Sequence, residues 1–248
     1  MPVRKEKKVL WLVTARSGTK GIPDKNIKRL GRWPLMAYRI RQALAFASKS
    51  DVWVSTDSIR YAKLAVSFGA RVPFLRPGFL ATDCSTSVDA TLHAMRWAEE
   101  KGMAYDAIGV LEPTAPFVKS SYLVDAVKKL FSDTRAMSIV ATRPVRPSTY
   151  YVQKDQRYLS KLARRLAKKG ILRRQEEKGE ITPSGGFYIA KWGYFMKSKT
   201  FYSSRTLSYR LPEVHGLEID EPIDWCWAEF LLAKHLVKPQ ELLKVSLQ

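Results

Sequence analysis

Val9-Leu10-Trp11-Leu12-Val13-Thr14-Ala15, followed by Arg16-Ser17-Gly18-Thr19-Lys20-Gly21-Ile22-Pro23-Asp24-Lys25-Asn26, is the stretch on which the fold turns. Its first half is an unbroken apolar run, the pattern of a strand buried on both faces of a parallel sheet. Its second half is polar, cationic and glycine-containing, as suits a loop leaving such a strand. Working outward, Pro34 to Ala47 reads as a helix with Pro in its first turn. Asp51 to Thr56 reads as a short strand and Ser58 to Phe68 as a helix stopped by Gly69. Arg71 to Leu75 is expected as another strand, and Ser85 or Thr86 can cap a helix running to about Lys101. Tyr105 to Leu111 repeats the buried-strand pattern, Tyr122 to Phe131 is helical, and Ala136 to Ala141 is a further strand. Strand and helix alternating at this spacing predict an α/β fold with a largely parallel, doubly wound sheet, whose ligands bind at the carboxyl ends of its strands.

After Thr142 the rhythm breaks. Arg143 to about Thr182 is Pro-rich at its start and strongly basic, with a helix expected near Leu159–Lys169, and reads as an insertion leaving the main body. Gly185 to Ala190 returns as a strand, Leu217 to Ile219 as a short one, and Glu221 to Leu236 as the closing helix. The expected division is therefore a body of residues 1–142 and 183–248, interrupted by 143–182.

Composition narrows the function classes. The chain has 248 residues, 46% of them hydrophobic, enough for a real core rather than a disordered chain. Its formal charge of +20 points to an anionic partner: nucleic acid, anionic lipid or a phosphate-rich substrate. No apolar run reaches the roughly 18–20 residues that span a bilayer, so no membrane insertion is expected. The basic start, Met1 to Lys8, precedes an apolar stretch too short for a secretory signal, and the expected compartment is the cytoplasm. Two cysteines, Cys84 and Cys226, make neither a disulfide framework nor a four-thiolate zinc site.

The chemistry concentrates at strand ends. In the loop after the first strand, Arg16, Lys20 and Lys25 alternate with Gly18 and Gly21. Glycines let backbone N–H groups converge on an anion while the cations neutralise it, and three cations suit several phosphates. The loop is neither a Walker A motif nor GxGxxG, and a plain basic surface loop would have the same composition. Glu218 and Asp220, at i and i+2, would share one face of a strand and offer oxygen ligands to Mg²⁺, although a solvated strand edge gives the same pattern. His93, His215 and His235 show no ligand spacing, and no GxSxG or Cys/His arrangement offers a covalent nucleophile. A phosphate site with a metal and no nucleophile predicts catalysis by positioning and charge neutralisation.

The loop Ala15 to Asn26 closely resembles the first motif of the acylneuraminate cytidylyltransferases, the CMP-sialic acid synthetases. The resemblance continues through Pro34-Leu35, Val54-Ser55-Thr56-Asp57, Arg76-Pro77, Leu80-Ala81-Thr82-Asp83 to Ser87, and Pro113-Thr114-Ala115-Pro116. It ends with Gly185-Gly186-Phe187-Tyr188-Ile189 and Ile219 to Trp225, and so covers nearly the whole chain in order. It implies a three-layer α/β/α sandwich of the nucleotide-diphospho-sugar transferase type, with a mainly parallel sheet and a small dimerisation insertion. It also implies synthesis of a CMP-sugar from CTP and an acidic 2-keto sugar, with Mg²⁺ as cofactor and a homodimer as the working form. Carried over by position, Arg16 and Lys25 would be catalytic, with Gly18 and Lys20 assisting at the triphosphate. Asn26, Arg76 and Ser87 would recognise the cytosine; Glu112, Thr114 and Tyr188 would face the sugar; Glu218 and Asp220 would hold the metal.

Three departures from the family pattern bear on the sugar. Glu112 stands where the family usually has Gln, and an ionised carboxylate accepts hydrogen bonds without donating any. Glu218 replaces the usual Asp, and Thr182 replaces an Arg that could meet an acid sugar, with Arg173 or Arg174 as candidates to compensate. Other readings of the chain are a nucleotidyltransferase of the same fold for another sugar or nucleotide, a relative that has lost turnover, and a basic nucleic-acid-binding protein. The last predicts steeply salt-dependent binding, which the ordered loop and buried strands do not require.

Overall fold

A computed structural model describes residues 7–145 and 180–245, except for the side chain of Glu180. β1 (Val9–Thr14) is buried on both faces as its sequence demands. Its odd residues Val9, Trp11 and Val13 enter one core, and Leu10 and Leu12 enter the other. β1 pairs in parallel with β4 (Val52–Ser55) on one side and β5 (Ala107–Leu111) on the other.

Beyond β5 the sheet continues through β7 (Glu180–Lys191), β6 (Ser138–Val145) and β8 (Thr206–Arg210), giving the order β4-β1-β5-β7-β6-β8. Every strand runs one way except β7, which is antiparallel to both its neighbours. Helices α1 (Leu35–Leu44), α2 (Ile59–Ser67) and α4 (Ser120–Ser132) cover one face. Helices α3 (Ser87–Glu100) and α5 (Trp192–Ser198) cover the other, completing a three-layer α/β sandwich. A short hairpin of β2 (Arg29–Leu30) and β3 (Trp33–Pro34) joins α1 and α6 (Pro222–Ala233) in a third apolar cluster around Tyr38, Phe117 and Trp225.

Several elements begin as the sequence predicts. Ser58 caps α2, and Thr86 forms a reciprocal capping box with Asp89 at the start of α3. Pro34 is the residue before α1. Other expectations need correction. Arg71 to Leu75 contributes one isolated bridge, Trp53 to Arg71, because Pro73 has no N–H with which to continue a ladder. Leu217 to Ile219 is extended chain outside any strand, attached by Ile219 N donating to the Thr114 carbonyl at 2.8 Å. The segment read as an insertion from Arg143 to Thr182 is strand at both ends, where Arg143 pairs with Thr182 and Val145 with Glu180. The helix expected at Leu159–Lys169, the residues Arg173 and Arg174, and the dimerisation role given to the insertion lie outside the described residues.

Candidate active site

The loop after β1 is built to hold its cations in fixed places. Gly18 takes a left-handed backbone (φ +69°) that a side chain would strain. Asp24 is also left-handed (φ 52°), and it is tied to α2 by the Tyr61 hydroxyl at 2.9 Å and Arg60 Nη1 at 3.0 Å. That turn presents Lys25, whose backbone N–H donates to Thr19 Oγ1 at 3.2 Å and whose side chain is nearly buried. Lys25 Nζ donates to the Ile219 carbonyl at 2.8 Å and pairs with Asp220 Oδ1 at 3.2 Å. Arg16 and Lys20 converge on Asp83, with Arg16 Nη1 at 3.0 Å from Oδ1 and Lys20 Nζ at 2.5 Å from Oδ2. The two cations and Lys25 thus occupy one edge of the sheet, each against a carboxylate.

Beneath this loop lies a polar brace. Asn26 Nδ2 donates to the Arg16 carbonyl at 2.9 Å. Arg76, buried, donates from Nε to Ser55 Oγ at 2.9 Å and from Nη2 to the Ser55 carbonyl at 2.6 Å. Burial lowers the Arg76 guanidinium to about 10, partly offset by Asp57. Asp57 accepts from both the backbone N–H and the hydroxyl of Ser17. Burial alone would raise the Asp57 carboxyl, but the Ser17 bonds and Arg76 outweigh it and hold it below its ordinary value.

A carboxyl depressed in the folded state stabilises the fold above its ordinary pKa and loses that contribution as pH falls through the folded value. Asp57→Asn is expected to lower the melting temperature at pH 7, with the gap to the unsubstituted protein closing below about pH 4. Melting curves at the two pH values check this, and a gap that widens in acid would contradict it.

The second half of the site forms around Gly185. Because Val110 of β5 pairs with Tyr188 of β7, Glu112 falls beside the two glycines that precede Tyr188 by a few residues. A Cβ at Gly185 would stand 2.8 Å from Glu112 Oε2 and 3.1 Å from Glu218 Oε2, so the glycine makes room for both carboxylates. Burial, then repulsion from Glu218 and Asp220, raises Glu112 to about 7, against a hydrogen bond from Ser87 and the positive charge of Arg39. Glu218 is also raised, first by burial and then by Asp220, against hydrogen bonds to Gly185 and Ser184 and the charge of Arg143, whose Nε is 3.9 Å away. The Tyr188 phenol is pushed up by burial and by the fields of Glu112, Tyr202 and Glu218.

Most of the residues singled out in the sequence therefore gather at one edge, in contacts that sort them differently. Arg16, Lys20 and Lys25 line the loop, and Glu112 and Glu218 meet over Gly185, with the Tyr188 phenol within their field. Asn26 and Arg76 are braced against backbone. Ser87, the first residue of α3, lies near Glu112 and acts to hold its carboxyl down. Thr114 contributes its carbonyl to Ile219. Glu218 and Asp220 do not share a strand face: Glu218 turns toward Gly185 and Asp220 toward Lys25.

Mutually repelling carboxylates are a donor set that a hard divalent cation relieves. Among the described residues no group of three or more His, Cys, Asp or Glu side chains is gathered closely enough to hold a metal by itself.

Three residues were missed as functional candidates. Asp83 and Asp57 were visible only as members of quoted motifs. Arg39 left a clearer signal: it lies on the stripe Met36, Ile40, Ala43 that α1 buries, where a cation is out of place.

Known proteins resemble this chain to different degrees. The family described as Cytidylyltransferase matches residues 10–209. The CMP-N,N'-diacetyllegionaminic acid synthase of Legionella pneumophila is 31% identical over 232 residues, covering 91% of this chain and 96% of that protein. The N-acylneuraminate cytidylyltransferase of Escherichia coli is 31% identical over 223 residues, 88% of this chain, which spans 50% of that protein's length. Among solved structures, CMP:2-keto-3-deoxy-manno-octonic acid synthetase complexed with CTP is similar in fold, with a TM-score of 0.66 at 16% identity over 92% of this chain and 99% of that one.

Proposed function

Since the chain belongs to the cytidylyltransferase family, we propose that it couples CTP to a 2-keto-3-deoxy acid sugar of the sialic or legionaminic type, releasing pyrophosphate. The observation that carries this reading is the placement of Arg16, Lys20 and Lys25 on one loop at the carboxyl edge of β1, with Lys25 against Asp220. The anomeric oxygen of the sugar attacks the α-phosphorus, the bond from that phosphorus to the bridging oxygen breaks, and the hydroxyl proton passes to solvent.

Lys25, clamped by the Ile219 carbonyl, is the fixed cation at the site of bond exchange. Arg16 and Lys20 leave Asp83 for the more highly charged β- and γ-phosphates and stabilise pyrophosphate as it departs. The left-handed Gly18 lets loop amides approach the same oxygens. Asn26, Arg76 and Ser87 border the space for the base, and Thr114 and Tyr188 that for the sugar. Glu112 accepts hydrogen bonds from it. Glu218 and Asp220 would hold Mg²⁺, which when bound neutralises phosphate oxygens.

A homodimer built through residues 143–182 and a cytoplasmic location complete the proposal. The location accords with CTP as substrate. Among the described residues no helix is long and apolar enough to cross a membrane.

Pyrophosphate release with Mg²⁺ and CTP, over a panel of 2-keto-3-deoxy acid sugars, tests the reading. Release with one acid sugar and CTP, and not with UTP or GTP, is the expected result. Failure to bind CTP would overturn it.

A further inference from the structure

Arg39 is completely buried, and it lies below the site rather than in it. Its Nη1 donates to Gln42 Oε1 and its Nη2 to the carbonyl of Gly186. Its Nε is buried with no hydrogen-bond partner, and among the described residues no carboxylate forms an ion pair with it. A guanidinium in this position is costly unless a negative charge offsets it through the low-dielectric interior. Glu112 is the carboxylate whose field acts on it. Glu112 in turn is repelled by Glu218 and Asp220 and attracted by Arg39.

The same side chain is a mechanical tie. Gln42, held by Arg39, donates from Nε2 to the Pro116 carbonyl at 2.6 Å, and the Ser120 hydroxyl donates to the Gln42 carbonyl at 2.8 Å. Arg39 and Gln42 therefore bind α1 to two backbone segments. One is the 112–116 loop that carries Glu112; the other is the β7 residue next to Gly185, over which Glu112 and Glu218 lie. A shift in either segment moves the Glu112 carboxylate.

We propose that Arg39 is a positioning residue for the acceptor side of the site: its buried guanidinium is the counter-charge of Glu112, and through Gln42, Pro116 and Gly186 it sets the gap in which Glu112 reads an O–H or N–H donor on the acceptor. This rests on the cytidylyltransfer reading above. The triphosphate loop is held by other contacts, so loss of the couple acts on the acceptor and leaves CTP binding intact.

The test is a double-mutant cycle of Arg39→Met and Glu112→Gln, with Arg39→Lys as the charge-conserving control. Two readouts are needed: melting of the ligand-free protein, and separate measurement of CTP affinity, acceptor KM and kcat. Arg39→Met is expected to lower the melting temperature, and to lower it by less in the Glu112→Gln background, where the guanidinium has no carboxylate to offset. Acceptor KM is expected to rise about tenfold or more in Arg39→Met, while CTP affinity stays within about twofold, and Arg39→Lys to recover most of the acceptor KM. A merely structural Arg39 would degrade CTP affinity and acceptor KM together. That result, additive melting losses, or an unchanged acceptor KM would each overturn the proposal. If Arg39→Met does not fold, the double substitution decides it: folding restored by Glu112→Gln supports the couple, and no restoration removes the counter-charge. Absence of turnover with every sugar in the unsubstituted protein would sink the functional reading instead, and the melting cycle would still decide the charge couple.

Discussion

Lys25→Ala is expected to lower kcat by about 10²–10³-fold, equivalent to ~2.7–4 kcal/mol of lost transition-state stabilisation. The side chain is nearly buried, and its ammonium is fixed from two sides by the Ile219 carbonyl and Asp220. A cation already oriented needs no reorganisation when charge builds on the departing pyrophosphate, which is why its removal costs more than that of an exposed lysine. Lys20, held against Asp83 on the exposed side of the loop, is the comparison: Lys20→Ala should weaken CTP binding more than it slows turnover. Single-turnover rates at saturating CTP measure the difference, and equal kcat in Lys25→Ala and the unsubstituted protein would remove Lys25 from the chemistry. Equal melting temperatures show that the loss is not one of folding.

The largest effect on stability is expected at Trp53. It is fully buried in β4, with its ring edge-on to Trp97 at 5.4 Å, Phe74 at 6.3 Å and Tyr105 at 6.4 Å. Its indole N–H donates to the Ser50 carbonyl at 2.8 Å. Trp53→Ala opens a cavity bounded by a sheet on one side and α3 on the other, neither of which can collapse into it. A cost of about 3–5 kcal/mol follows, a fall in melting temperature on the order of 10 °C for a chain of this size. Trp53→Phe keeps most of the volume and should lose much less. Thermal unfolding of the two variants side by side checks both values.

What the sequence made legible was local pattern, and what it hid was direction and pairing. The apolar run of β1 and the caps of α2 and α3 could be read because burial on two faces and capping chemistry leave residue-level marks. The antiparallel course of β7 leaves none: Phe187 and Ile189 look the same in a strand running either way. β8 and α5 leave little mark in the sequence because both are short, and β8 alternates too weakly to stand out from a loop. For the site, the cationic loop and the Glu218/Asp220 pair were identifiable by type. Their partners were not. Asp83 meets Arg16 across more than sixty residues of sequence, and Lys25 meets Asp220 across 195 positions.

The central position of β7 has a consequence for how the chain is made. β1, β4 and β5 leave the ribosome early, and β6 soon after, yet the strand that joins them lies later in the sequence. At synthesis rates of about 5–20 residues per second, the interval between completion of β6 and completion of β7 is on the order of 2–9 s. Throughout it, β5 presents a bare row of N–H and C=O groups along the edge that β7 later fills. Open edges of that kind recruit other strands. The nascent protein is thus most exposed to misassembly in a defined window, and a chain terminated within it should aggregate even though four of the six strands of the sheet, β1, β4, β5 and β6, are already present.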